Sequence, residues 1–165
     1  MALLRLTTVA LAACSAAAAA PGTPAAAGAA DRAPGAPHAV PARWVALPPI
    51  AAAVTAAAPG ATADAWGDPA QGCYAVWLAI PGAAGDAPAL ADQIVAGLTG
   101  LSPTELARPT GPGGELSFAF ARPPYHGQVQ ARLGHGQITA TACFGNQREP
   151  LACNAACARV LQDVP

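Results

Sequence analysis

The chain has 165 residues, with eight basic side chains against nine acidic ones and a formal net charge of −1. All eight basic residues are arginine, so the chain offers no amine for a Schiff base and no lysine for a phosphate-binding P-loop. From Trp44 onward five arginines face eight acidic residues, a formal −3, which argues against nucleic acid as a partner. Hydrophobic residues make up 53% of the chain, but alanine dominates them and its methyl group buries little area. The core expected from this composition is modest and gains from covalent staples. The excess of alanine, proline, glycine and arginine fits a GC-rich bacterial genome.

Met1 to Arg5 forms a short positive end, Leu6 to Ala13 an apolar stretch, and small residues follow, which is the order of a secretory signal. Leu11-Ala12-Ala13-Cys14 resembles the lipobox of bacterial lipoproteins, in which a cysteine behind small residues receives a lipid and becomes the new first residue. That resemblance implies a signal peptide over residues 1–14, lipidation at Cys14 and, with Ser15 next, outer-membrane rather than inner-membrane sorting. Two alternatives stand beside it. One is ordinary cleavage after an Ala-x-Ala site around Ala16 to Ala20, with Cys14 discarded; the other is a cytoplasmic chain with an alanine-rich start. Lipidation leaves an even set of four cysteines, Cys73, Cys143, Cys153 and Cys157.

Residues 15–43 are almost exclusively alanine, proline and glycine, and before Arg43 only Asp31, Arg32 and His38 can titrate. No periodic apolar face exists there, so the segment reads as a disordered tether, about 90 Å long if extended and nearer 30 Å as a loose coil. A domain over residues 44–165 follows. Its longest uncharged stretch, Trp44 to Ala63, is broken by Pro48-Pro49 and Pro59-Gly60 and does not read as a membrane span.

Pro48 and Pro49 suit a helix entry, Ile50, Ala53, Val54 and Ala57 share a face, and Pro59-Gly60 stops the run, which predicts a helix over 49–58. Ala61 to Trp66 and Cys73 to Ile80 read as strands joined by a Gly-Asp-Pro turn. The second is apolar on both faces, so it is expected to be central and covered on both sides. Asp86 can cap a second helix in which Leu90, Ile94 and Leu98 recur and which Gly100 ends; loop chemistry then runs to Gly114. Glu115 to Arg122 and Gln128 to Leu133 alternate, Gly134-His135-Gly136 makes a tight hairpin, and Gln137 to Phe144 returns. Pro150 opens a last helix that turns Cys153, Cys157, Val160 and Leu161 toward the core.

The fold class expected is α+β, with one antiparallel sheet of about five strands and helices packed on it in the order α-β-β-α-β-β-β-α. This order is similar to that of roadblock and profilin-like domains, on topology alone and without a shared motif.

Cys153 and Cys157 lie one helical turn apart, where side chains run side by side instead of converging as a disulfide requires. Each therefore takes a partner elsewhere, and the pairing chosen is Cys143 with Cys153 and Cys73 with Cys157. A four-cysteine zinc site is the alternative, but the C-x3-C spacing departs from the common C-x2-C, and a thioredoxin-like C-x-x-C is absent. No metal and no cofactor are expected.

Of the three serines, 15, 102 and 117, none sits in a G-x-S-x-G turn. His126 and His135 stand at opposite ends of one expected strand, roughly 30 Å apart at about 3.3 Å per residue, too far to share a metal. Gly111-Pro112-Gly113-Gly114 has no lysine and precedes a strand, so it reads as a loop. One cluster can converge: the returning strand brings Asn146, Arg148 and Glu149 beside Arg122, Tyr125 and His126, a rim able to bind an anion or move a proton. A plain polar rim is the simpler reading.

These residues support first a non-enzymatic envelope domain, lipid-anchored or released, that binds an envelope protein or a small ligand, with Trp44 and Trp66 as contact candidates if exposed and clustered. The alternatives are a small secreted hydrolase or anion-binding enzyme working through the Tyr125 and His126 rim, and a cytoplasmic roadblock-like interaction domain.

Overall fold

The computed structural model describes residues 40–81, 87–97, 103–109, 114–134, 136–146 and 150–162. Residues 1–14 and nearly all of 15–43, with Cys14, fall outside these, as do Asp86, His135, Arg148 and Glu149. The elements are β1 (Val45–Ala46), α1 (Pro48–Ala57), β2 (Thr62–Asp68), β3 (Cys73–Pro81), α2 (Ala87–Gly97), β4 (Thr104–Ala107), β5 (Gly114–Arg122), β6 (Tyr125–Gly134), β7 (Gln137–Asn146) and α3 (Pro150–Gln162). The strands form one sheet in the order β1-β2-β3-β7-β6-β5-β4, every pair antiparallel. The class is therefore α+β, with the helix order expected from the sequence.

Two short edge strands join the five read from periodicity. β1 has two residues and β4 four, with a register shift between Glu105 and Ala107, so neither is long enough to display alternation. β4 lies inside the stretch expected to be loop.

Strand alternation divides the sheet into two faces. On one, Val76, Leu116, Phe118, Phe120, Ala131, Leu133, Ile138 and Phe144 form the main core with Ile50 and Val54 of α1 and Leu90 and Ala91 of α2. Burying Ile50 and Val54 contributes roughly 1.5–3 kcal/mol each, and both lie on the face their four-residue spacing predicts. Pro48 and Pro49 open α1, and Gly60, at φ +86°, turns the chain into β2.

On the other face α3 covers β3 and β7, where Ala75, Cys143, Val160 and Leu161 form a second, smaller cluster joined by Trp44 and Cys157. β3 is central and covered on both sides: Val76 faces the α1 layer and Trp77 the α3 side, at 2% and 1% exposure. Trp44 and Trp66 are both half-buried instead of exposed, Trp44 because α3 and the second cluster lie against it.

The expected disulfide pairing is corrected. Cys73 bonds Cys153, and Cys143 bonds Cys157, each with Cα atoms 5.4 Å apart. The reason lies in the register. Cys73 pairs with Gly145 and Ala75 with Cys143, so Cys73 sits two residues nearer the end of β7 from which the chain returns as α3. The first cysteine of α3 therefore meets Cys73, and the one a turn later reaches Cys143. Both bridges do tie the last helix to β3 and β7, as its apolar stripe predicts. With the four sulfurs bonded in pairs, none is available to zinc.

Candidate functional site

Period-two alternation takes the expected rim apart. Tyr125 is opposite both Arg122 and Asn146, so these three share one face of the sheet. His126, opposite Ala121 and Gly145, points to the other face. Tyr125 belongs to an aromatic group on the α1–α2 face, edge-on to Phe144 at 6.1 Å and to Tyr74 at 6.3 Å between ring centroids, with Tyr74 stacked on Phe144 at 5.5 Å. Arg122 is exposed, and the Asn146 backbone N–H donates to the Gly72 carbonyl at 2.9 Å. Arg148 and Glu149 lie outside the described residues.

Tyr125 and His126 thus have no common volume in which to handle one substrate. A serine nucleophile fares no better. Ser117 shares the face of His126, but it lies four residues along β5 from Ala121, the cross-strand partner of His126, roughly 13 Å at about 3.3 Å per residue.

A different concavity is present on the α3 side. A groove of about 290 Å³ runs between β6 and α3, lined by Gln128, Gln130 and Arg132 from the strand and Ala158, Leu161 and Gln162 from the helix. It exists because a single helix of thirteen residues covers β3 and β7 and leaves the polar stripe of β6 uncovered beside it. Gln130 Nε2 donates to Glu115 Oε1 at 2.8 Å, which fixes one wall. Arg132 is exposed, sits across from Glu115, and makes no ion pair among the described residues.

Inward from Gln130 runs a row of polar residues on adjacent strands: Thr141 on β7, Trp77 on β3 and Asp64 on β2. Thr141 Oγ1, Trp77 Nε1 and Asp64 Oδ2 are buried without a hydrogen-bond partner, as is His126 Nδ1. All four lie on the α3 face of the sheet, and of their residues Thr141 and Trp77 are the most deeply buried. The apolar face beneath α1 and α2 has none among the described residues.

The alternation of Gln128 to Leu133 puts Gln128, Gln130 and Arg132 on one side of the strand, but it does not by itself mark them as a groove wall. Its signal was present: the α3 stripe of Cys153, Cys157, Val160 and Leu161 is too narrow to cover more than two strands. The chemistry available in the groove is hydrogen bonding by amides and one cation, with an apolar patch from Ala158 and Leu161.

No family model matches the chain, and no curated protein matches it. Among solved structures it is similar to the solution structure of cyanobacterial PsbP (CyanoP) from Synechocystis sp. PCC 6803. The identity is 10%, over 74% of this chain and 81% of that one, with a TM-score of 0.48.

Proposed function

We propose that this chain is an exported bacterial envelope protein, anchored by a lipid on Cys14, whose domain binds a protein or a small ligand without catalysis. The observation that carries the reading is the pair of disulfides, Cys73–Cys153 and Cys143–Cys157. Such bridges persist in oxidising compartments and are rare in reducing ones, which supports export and speaks against the cytoplasmic alternative. The signal-like start and the lipobox resemblance supply the anchor. The α3–β6 groove, with its amides, Arg132 and an apolar floor, is the binding face in this reading. The separation of Tyr125 from His126 onto opposite faces weighs against the hydrolase alternative.

The test is the intact mass of the protein from its native envelope, alkylated before and after reduction. The expected result is a chain that begins at a lipid-bearing Cys14 and has four cysteines that react only after reduction. An unprocessed chain with freely reacting thiols would overturn the reading.

A further inference from the structure

Arg132 on β6 and Glu115 on β5 stand directly opposite each other, where opposite charges ordinarily pair across an antiparallel ladder. Here they do not. Gln130 Nε2 donates to Glu115 Oε1 at 2.8 Å, and Arg132 makes no ion pair among the described residues. The glutamine thus engages the carboxylate and leaves the guanidinium lining a groove in which no lining residue is acidic. The other polar groups of that lining are primary amides, from Gln128 and Gln130 on the strand and Gln162 on the helix. Each amide carries both a donor and an acceptor, the same pair that a peptide group presents, and the acceptor of Gln130 is not used by its bond to Glu115. Gln128, Gln130 and Arg132 follow at every second position, so they repeat about every 6.6 Å along β6, which is also the repeat of an extended peptide laid beside it. The groove volume, about 290 Å³, is small for a ligand pocket and suits a short segment.

We propose that the ligand of this groove is a short extended peptide ending in a free carboxylate, an inference that rests on the reading of the groove as the binding face. The carboxylate meets the Arg132 guanidinium, whose planar fork offers two parallel N–H donors that match its two oxygens. The peptide groups pair with the amides of Gln128, Gln130 and Gln162, and small side chains lie against Ala158 and Leu161. Arg132 is exposed, so water competes for it and binding is weak.

The experiment titrates the full oxidised chain with N-acetyl-alanyl-alanine, as the free acid and as its C-terminal amide, and follows side-chain N–H signals by two-dimensional NMR. The acid is expected to shift the signals of Gln128, Gln130, Arg132 and Gln162 and to bind at least about fivefold more tightly than the amide. Equal affinity for the two, with the shifts still in the groove, overturns the carboxylate and leaves the groove as the binding face. No shift in these signals up to about 10 mM acid overturns the proposal outright. Sodium acetate and inorganic phosphate serve as simple anions, and either one matching the acid overturns the peptide. The Arg132→Gln variant, altered at an exposed position, is expected to bind the acid about fivefold more weakly and the amide as the parent does. Equal losses for acid and amide, or none for the acid, remove Arg132 from the contact. The titration does not depend on Cys14 and the mass measurement above does not depend on the groove, so the two fail separately.

Discussion

Gly145 and Cys153 touch through a gap that no side chain can enter: a β-carbon at Gly145 would lie 2.6 Å from Cys153 Sγ and 2.9 Å from its Cβ. The larger disulfide rests directly on the sheet because position 145 is bare. Gly145→Ala is therefore expected to destabilise the oxidised domain by about 1–3 kcal/mol, as overpacking does. Urea unfolding of the oxidised variant measures this, and a midpoint equal to the parent's would contradict it.

The two bridges differ in the chain they enclose, with sequence separations of 80 and 14. Restriction of the unfolded chain predicts about 4.5 kcal/mol for the first and about 3 kcal/mol for the second. Replacing Cys73 and Cys153 together by alanine should lower the denaturation midpoint more than replacing Cys143 and Cys157. The reverse order would place the main stabilisation in native packing around the smaller loop.

Thr141 is fully buried and its hydroxyl has no partner. Thr141→Val keeps the shape and removes the unpaired group, so the change should be neutral or stabilising by up to about 1 kcal/mol. A loss beyond about 1 kcal/mol would mean that the hydroxyl is hydrogen-bonded in solution, and thermal unfolding of the variant decides the matter.

Asp92 of α2 pairs with Arg108 just after β4, with side chains 71% and 36% exposed. Solvent screens such a pair, so Asp92→Asn should cost no more than about 1 kcal/mol, and less as salt is added. A large salt-independent loss would show that the pair anchors β4 by more than charge.

Gly127 lies under Phe144, where an added β-carbon would come within 2.5 Å of the Phe144 Cβ. Gly127→Ala should therefore disturb the Tyr74, Tyr125 and Phe144 ring group, and the ring-current-shifted proton signals of those residues report it. Unchanged ring signals would contradict the crowding.

The helices and the long strands were legible because their apolar residues recur with a period of four or two over enough positions: Ile50 with Val54, and Leu116 with Phe118 and Phe120. β3 betrayed its central place by being apolar at every position from Cys73 to Ile80. β1 and β4 were illegible because two and four residues cannot establish a period.

The site was harder, for a reason that alternation itself contains. Tyr125 and His126 are neighbours along the chain, which suggested a shared rim, yet adjacency in a strand sends two side chains to opposite faces. The disulfide partners needed the offset between Cys73 and Cys143 across β3 and β7, a long-range register that no local pattern encodes.

The bond between Cys73 and Cys153 also governs what a protease can do to this domain. A single cut anywhere in the residues between those two positions divides the polypeptide but leaves both fragments in one covalent molecule. On a gel without reductant such a nicked domain runs as one species, and only reduction separates its parts. A cut in that stretch therefore need not part the two halves of the domain.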